Sequence, residues 1–164
     1  MNPSRSASRR EHANLGPALR RAWVGYQRRL DEEMAAAGFD ERGFPDGRVL
    51  RMCRAGPTTT AQIGRELGMT RQGASKIVAR LNQRGYVTVV PSAASGREKT
   101  VASTPRAIAY LDAQRTAARR IERRLRREVG DAAYDALTSL LDALGGAEQP
   151  RMRDYLRRMG VREL

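Results

Sequence analysis

Cysteine and histidine are almost absent from this chain of 164 residues, each occurring once, as Cys53 and His12. A lone cysteine excludes an intramolecular disulfide and any multi-cysteine zinc site, and one imidazole leaves almost nothing to ligate a transition metal. Aromatic residues are scarce as well, at 5%. A core must then be assembled from Leu, Ala, Val, Ile and Met, which suits helix packing and argues against a β-sandwich. No apolar run approaches the roughly 20 residues of a spanning helix, and the N-terminus has no signal-peptide pattern. A cytoplasmic protein with no membrane partner is expected. The sequence also lacks a carboxylate pair, a nucleophile motif and a phosphate-cradling glycine loop, so it does not read as an enzyme and no cofactor is expected.

Positive charge, in contrast, is abundant. Lys and Arg number 31 against 18 Asp and Glu, a net charge of +13. Such a field attracts polyanions, and double-stranded DNA is the first partner to consider. The length fits one compact body with an appended dimerisation part.

Residues 1–13 are Ser/Arg-rich without apolar periodicity and read as a flexible basic arm. From Pro17, Leu19, Trp23, Tyr26, Leu30, Met34 and Ala37 recur at helical spacing until Gly38 offers a stop. A shorter helix is expected after Phe44 and Pro45, carrying Val49, Leu50, Met52 and Cys53 as far as the Ala-Gly-Pro break at 55–57. Cys53 falls on the apolar side of that helix, the place of a buried inert thiol. Arg51 and Arg54 adjoin it in sequence, and cations that also faced it would make a redox switch the alternative.

The most informative stretch is TTTAQIGRELGMTRQGASKIVARLNQRG, residues 58–85. Two helix starts lie on either side of a glycine turn, as in a helix-turn-helix. Thr59 with Gln62 forms a capping box, Ile63 and Leu67 supply an inner face, Gly68 permits the turn, and Thr70 caps the second helix. There, Ala74, Ile77, Val78 and Leu81 share one stripe, which leaves Gln72, Ser75, Lys76, Ala79 and Gln83 pointing outward. After Gly85 the pattern becomes YVTVVP, SAASGREK, TVAS: two β-branched runs around small residues, a hairpin with Arg97 and Lys99 near its tip. Thr104 and Pro105 open a long helix to about Val129, with Leu111, Ala118, Ile121 and Leu125 along a seam. Its arginines between 115 and 127 read as a solvated face paired with Glu122, Glu128 and neighbouring carboxylates. Gly130 and Asp131 begin another helix, with Leu137, Leu140, Leu141 and Leu144 on one side, and a short amphipathic segment follows Pro150. The expected fold is mainly α with a small β-hairpin wing.

Amides, hydroxyls and Lys on an outward helix face suit the major groove, where they pair with base edges and phosphates. The expected DNA contacts are Thr59, Thr70, Arg71, Gln72, Ser75, Lys76 and Arg80. At the hairpin, Arg97 suits a minor-groove probe and Lys99 a phosphate contact.

Over residues 14–145 this order of elements, with TAQIGRELGMTRQGASKIVARLNQRGYV, the wing ending SGREK and the phrase VASTPRA, resembles the MarR family of winged helix-turn-helix regulators. The wing retains Arg97 but has Ser95 where the family commonly places Asp, and Ala107 replaces a frequent glycine. The resemblance implies a homodimer with interlocking terminal helices at 14–38 and 105–146, a DNA-binding lobe at 39–104 and a C-terminal extension at 147–164. It further implies a transcriptional regulator, expected to be a repressor, with recognition helices in the major groove and wings in the minor groove. By position, Trp23, Tyr26, Phe44, Arg48, Met52 and Tyr110 would line a pocket for a small aromatic or phenolic effector, although such residues at helical spacing also serve as core filling. The reading from another class is an architectural protein that uses the +13 charge without reading sequence.

Overall fold

A computed structural model describes residues 14–41, 43, 45–92 and 95–146, with side chains described for all of these except 92 and 95–98. The basic arm, the C-terminal extension and Phe44 lie outside the described residues. The first helix, α1, spans Leu15–Ala36 and starts two residues before Pro17 because the Asn14 side chain accepts a hydrogen bond from the Gly16 N–H. The helices α2 (Asp46–Ala55), α3 (Thr60–Leu67), α4 (Arg71–Gln83), α5 (Pro105–Val129) and α6 (Asp131–Gly145) follow.

The local signals act as their chemistry requires. Thr59 caps α3 by accepting from the Gln62 N–H at 3.2 Å, and the Gln62 side chain accepts from the Thr59 N–H at 2.8 Å. Gly68 ends α3 in the left-handed region, at φ 65°, which an L side chain would resist. Thr70 then accepts from the Gly73 N–H at 3.1 Å to start α4. Thr104 caps α5 through the Ala107 N–H, and its hydroxyl donates to the Gly85 carbonyl at 2.7 Å, joining the start of α5 to the end of α4.

The hairpin belongs to a larger sheet than the sequence indicated. Strands β1 (Thr58–Thr59), β2 (Val87–Ser92) and β3 (Ser95–Ser103) form an antiparallel sheet in the order β1-β3-β2. Thr58 pairs with Val101, and β2 pairs with β3 from Val87↔Ser103 to Pro91↔Lys99. Two residues are too short for periodicity to reveal, so β1 is set by its partner strand.

One core joins the lobe to the long helices. It contains Leu30 and Met34 from α1, Val49, Leu50 and Cys53 from α2, Ile63 and Leu67 from α3, Ala74, Ile77, Val78 and Leu81 from α4, and Tyr110, Leu111 and Ile121 from α5. The burial of α4's apolar stripe orients its polar face outward. Helix α6 is different: none of its residues is buried, and Leu137, Leu140, Leu141 and Leu144 are all exposed.

Burial fixes the chemistry of Cys53. The side chain is 3% exposed within the core, and desolvation pushes its thiol from 9.0 up to about 11. Between pH 9 and about 11 the unfolded chain loses this proton first, so the stability associated with the neutral thiol falls as pH rises through that window. At pH 8 the folded protein should react with iodoacetamide far more slowly than the urea-unfolded chain. Equal rates would show that the thiol is accessible.

Candidate nucleic-acid interface and its flanking cavity

Arg71, Gln72, Ser75, Lys76, Ala79 and Gln83 are exposed along the outward face of α4, opposite the buried stripe. Arg71 and Lys76 form no salt bridge with any described residue. Thr70 is exposed at the N-terminus of the same helix. These six polar or charged side chains and Ala79 make a continuous surface of donors and acceptors. Lys99 is exposed on β3, in the wing, and the side chain of Arg97 lies outside those described. The Thr59 hydroxyl is occupied as the cap of α3, giving that residue a structural role.

Arg80, also among the expected DNA contacts, has a partner within the protein. Its guanidinium is half exposed but binds the buried carboxylate of Asp46, Nη2 to Oδ1, at 2.6 Å. One turn later Arg84 reaches the other oxygen of Asp46 at 3.0 Å, with its own side chain 17% exposed. Arg84 also pairs with Glu41 at 3.1 Å and donates to the Glu41 backbone carbonyl. Asp46 is the first residue of α2, where the helix N-terminus favours an anion. Arg80 and the C-cap residue Arg84 thereby anchor the end of α4 to α2. The i, i+4 pair was visible in the sequence; its carboxylate, 34 residues upstream, was not.

The anchor continues into the long helix. Arg84 lies 5.0 Å from the centroid of the Tyr86 ring, and Arg106 lies 5.1 Å from it. Tyr86 meets Tyr110 edge to face at 5.4 Å, and Tyr110 meets Phe39 the same way at 5.5 Å. Gly43 makes the junction possible, since a Cβ there would lie 2.5 Å from Asp46 Oδ2.

A cavity of about 610 Å³ opens between α1, α2 and α5. Trp23, Tyr26, Arg48 and Tyr110 line it, four of the six residues expected. Trp23 and Tyr26 stack, with centroids 6.1 Å apart and planes 17° from parallel. Met52 is not in this cavity; it lines a separate cleft of about 590 Å³ with Thr58, Gln62, Arg65 and Glu66, and Arg48 lines both. The cavity also has Gln27, Arg51, Arg54, Gln114 and Arg115, which the sequence reading left out. Arg48, Arg51 and Arg54 recur every third residue along α2, so their shared face was legible; the approach of Gln114 and Arg115 from α5 depends on tertiary packing. Among the described residues, no group of three or more His, Cys, Asp or Glu side chains is placed to hold a metal ion, and no helix is long and apolar enough to cross a membrane.

A capped helix-turn-helix, an exposed polar recognition helix and an adjoining antiparallel hairpin define the class of winged helix-turn-helix DNA-binding proteins. Residues 43–98 match the model of the MarR family. CouR, a transcriptional repressor solved bound to a 23-mer DNA duplex, is similar with 26% identity and a TM-score of 0.60, over 81% of this chain and 93% of that one. RV1404 from Mycobacterium tuberculosis shares the fold with a TM-score of 0.71 at 20% identity, over 92% and 99% of the two chains. MepR from S. aureus, solved as a DNA complex, aligns with a TM-score of 0.61 at 16% identity, over 74% and 90%. No curated relative matches the chain in sequence. Over residues 43–98 the chain is thus similar to the MarR family, and its fold is that of winged-helix regulators.

Asp46→Asn should destabilise the protein by about 3 kcal/mol, because it leaves two guanidinium groups facing a buried neutral side chain. Arg80→Ala should cost less, since Arg84 still holds the carboxylate. Urea denaturation gives both values, and equal losses would mean that the two arginines do not share the load.

Proposed function

We propose that the protein is a homodimeric repressor that reads a pseudo-palindromic operator through α4 and the wing and is released by a small aromatic effector. The observation that carries the DNA reading is the uninterrupted exposed face of Thr70, Arg71, Gln72, Ser75 and Lys76 on a helix held at its other end by Asp46. In this arrangement Gln72 and Ser75 address base edges, Arg71 and Lys76 address guanine or phosphate, and Arg97 and Lys99 belong to the wing's contact with the adjacent groove. Arg80 and Thr59 act behind this surface, holding α4 and α3 in place.

The dimer reading is supported by α6. Leu140 is 69% exposed and Leu144 58%, with Leu15 at 58% and Val24 at 64% on α1. Exposed apolar groups concentrated on the terminal helices fit burial against a second copy better than permanent hydration. Two-fold symmetry then places the half-sites about one helical turn, roughly 10 base pairs, apart. The effector reading is supported by the cavity between α1, α2 and α5, whose size lies within the ~300–1,000 Å³ usual for ligand pockets.

The test is binding to DNA flanking the protein's own gene, with random DNA as competitor. A specificity ratio of about a thousandfold or more supports a regulator, and a ratio near one supports the architectural reading. On a specific site, Gln72→Ala should cost about 1–3 kcal/mol and relax preference at one base pair. Lys76→Ala should weaken binding to all sequences and reduce the salt slope by about 1. Loss of affinity without change in either property would remove these two residues from the interface.

A further inference from the structure

The charge around the cavity is unbalanced. Four guanidinium groups line it, those of Arg48, Arg51, Arg54 and Arg115, and no carboxylate does among the described residues. Two carboxylates reach these arginines from outside the lining. Asp112 Oδ1 is shared by Arg54 at 3.2 Å and Arg115 at 2.6 Å, and Glu66 meets Arg48 at 3.5 Å. Arg51 has a neutral partner, the Gln114 amide oxygen at 3.3 Å. Among the described residues, four positive charges against two negative leave an excess of two. Three of the four stand on one face of α2, along about 9 Å of helix. The stacked Trp23 and Tyr26, with Tyr110, supply an aromatic wall to the same cavity.

We infer that the cavity takes an aromatic dianion, an arene bearing either two carboxylates or one phosphoryl group. The inference rests on the effector reading above and adds the ligand's charge to it. An arene fills the aromatic wall, and two anionic groups, or the oxygens of one phosphoryl group, meet the forked donors of Arg48, Arg51, Arg54 and Arg115. A neutral phenol leaves the excess charge in place, and a monocarboxylate removes half of it.

Trp23 is the sole tryptophan and lines the cavity, so its fluorescence reports occupancy, with calorimetry as an independent measure. The full-length protein is titrated at pH 7.5 and fixed ionic strength with benzyl alcohol, benzoate, phthalate, phenyl phosphate and inorganic phosphate. Phthalate and phenyl phosphate should bind at least tenfold more tightly than benzoate. Inorganic phosphate should bind at least tenfold more weakly than phenyl phosphate. The double variant Arg51→Met, Arg54→Met should reduce the dianion-to-monoanion ratio to near one. Benzoate as tight as the dianions overturns the inference and leaves the effector reading standing. Phosphate as tight as phenyl phosphate reduces the cavity to a simple anion site and overturns the aromatic half. No binding by any arene removes the effector reading, and the inference with it.

Discussion

The buried carboxylate of Asp46 is the constraint on which the rest of the structure turns. At 2% exposure it is stable as an anion only if its oxygens are satisfied, and both are, by Arg80 and Arg84. Since Arg80 and Arg84, the C-cap of α4, lie one turn apart, the pair fixes both the position and the rotation of that helix. Rotation matters most: one residue of drift turns an α-helix by about 100°, enough to exchange exposed side chains for packed ones. The apolar stripe of Ala74, Ile77, Val78 and Leu81 sets the same rotation through packing. The ion pairs add a directional term that hydrophobic contact lacks.

The segment around Asp46 serves two neighbours. Gly43, Pro45 and Gly47 line the cavity, while Asp46 between them holds α4. Gly47 also admits the Gln114 amide, whose oxygen would lie 3.2 Å from a Cβ at that position. A few residues of small volume thus form both the cavity floor and the support of the recognition helix. Among the described residues, the wall of the cavity and the exposed face of α4 are joined through contiguous, packed contacts.

The abundant arginines divide by environment. Arg84 is nearly enclosed and structural. Arg126 bridges Asp131 and Asp135, both at 2.9 Å, and lies 4.3 Å from the centroid of the Tyr134 ring, bracing the corner at Gly130 between α5 and α6. Arg48, Arg51, Arg54 and Arg115 gather at the cavity. Arg71 remains at the surface of α4. Net charge alone predicts affinity for polyanions; where each charge is available follows from the carboxylates that the fold brings near it.

By itself the sequence determined what is local. Thr59 with Gln62, Gly68, Thr70, and Thr104 with Pro105 set helix ends because capping acts within three or four residues, and helical spacing separated the buried stripe of α4 from its polar one. The outward set of Gln72, Ser75 and Lys76 was legible for that reason. Tertiary structure decided what depends on distant partners. It gave Arg80 to Asp46, placed Met52 in a cleft apart from Trp23 and Tyr26, paired β1 with β3, and brought Gln114 and Arg115 to the arginine face of α2. A side chain's local pattern tells which way it faces, but its electrostatic partner is chosen by how the helices pack. That packing is written in no single stretch of the chain.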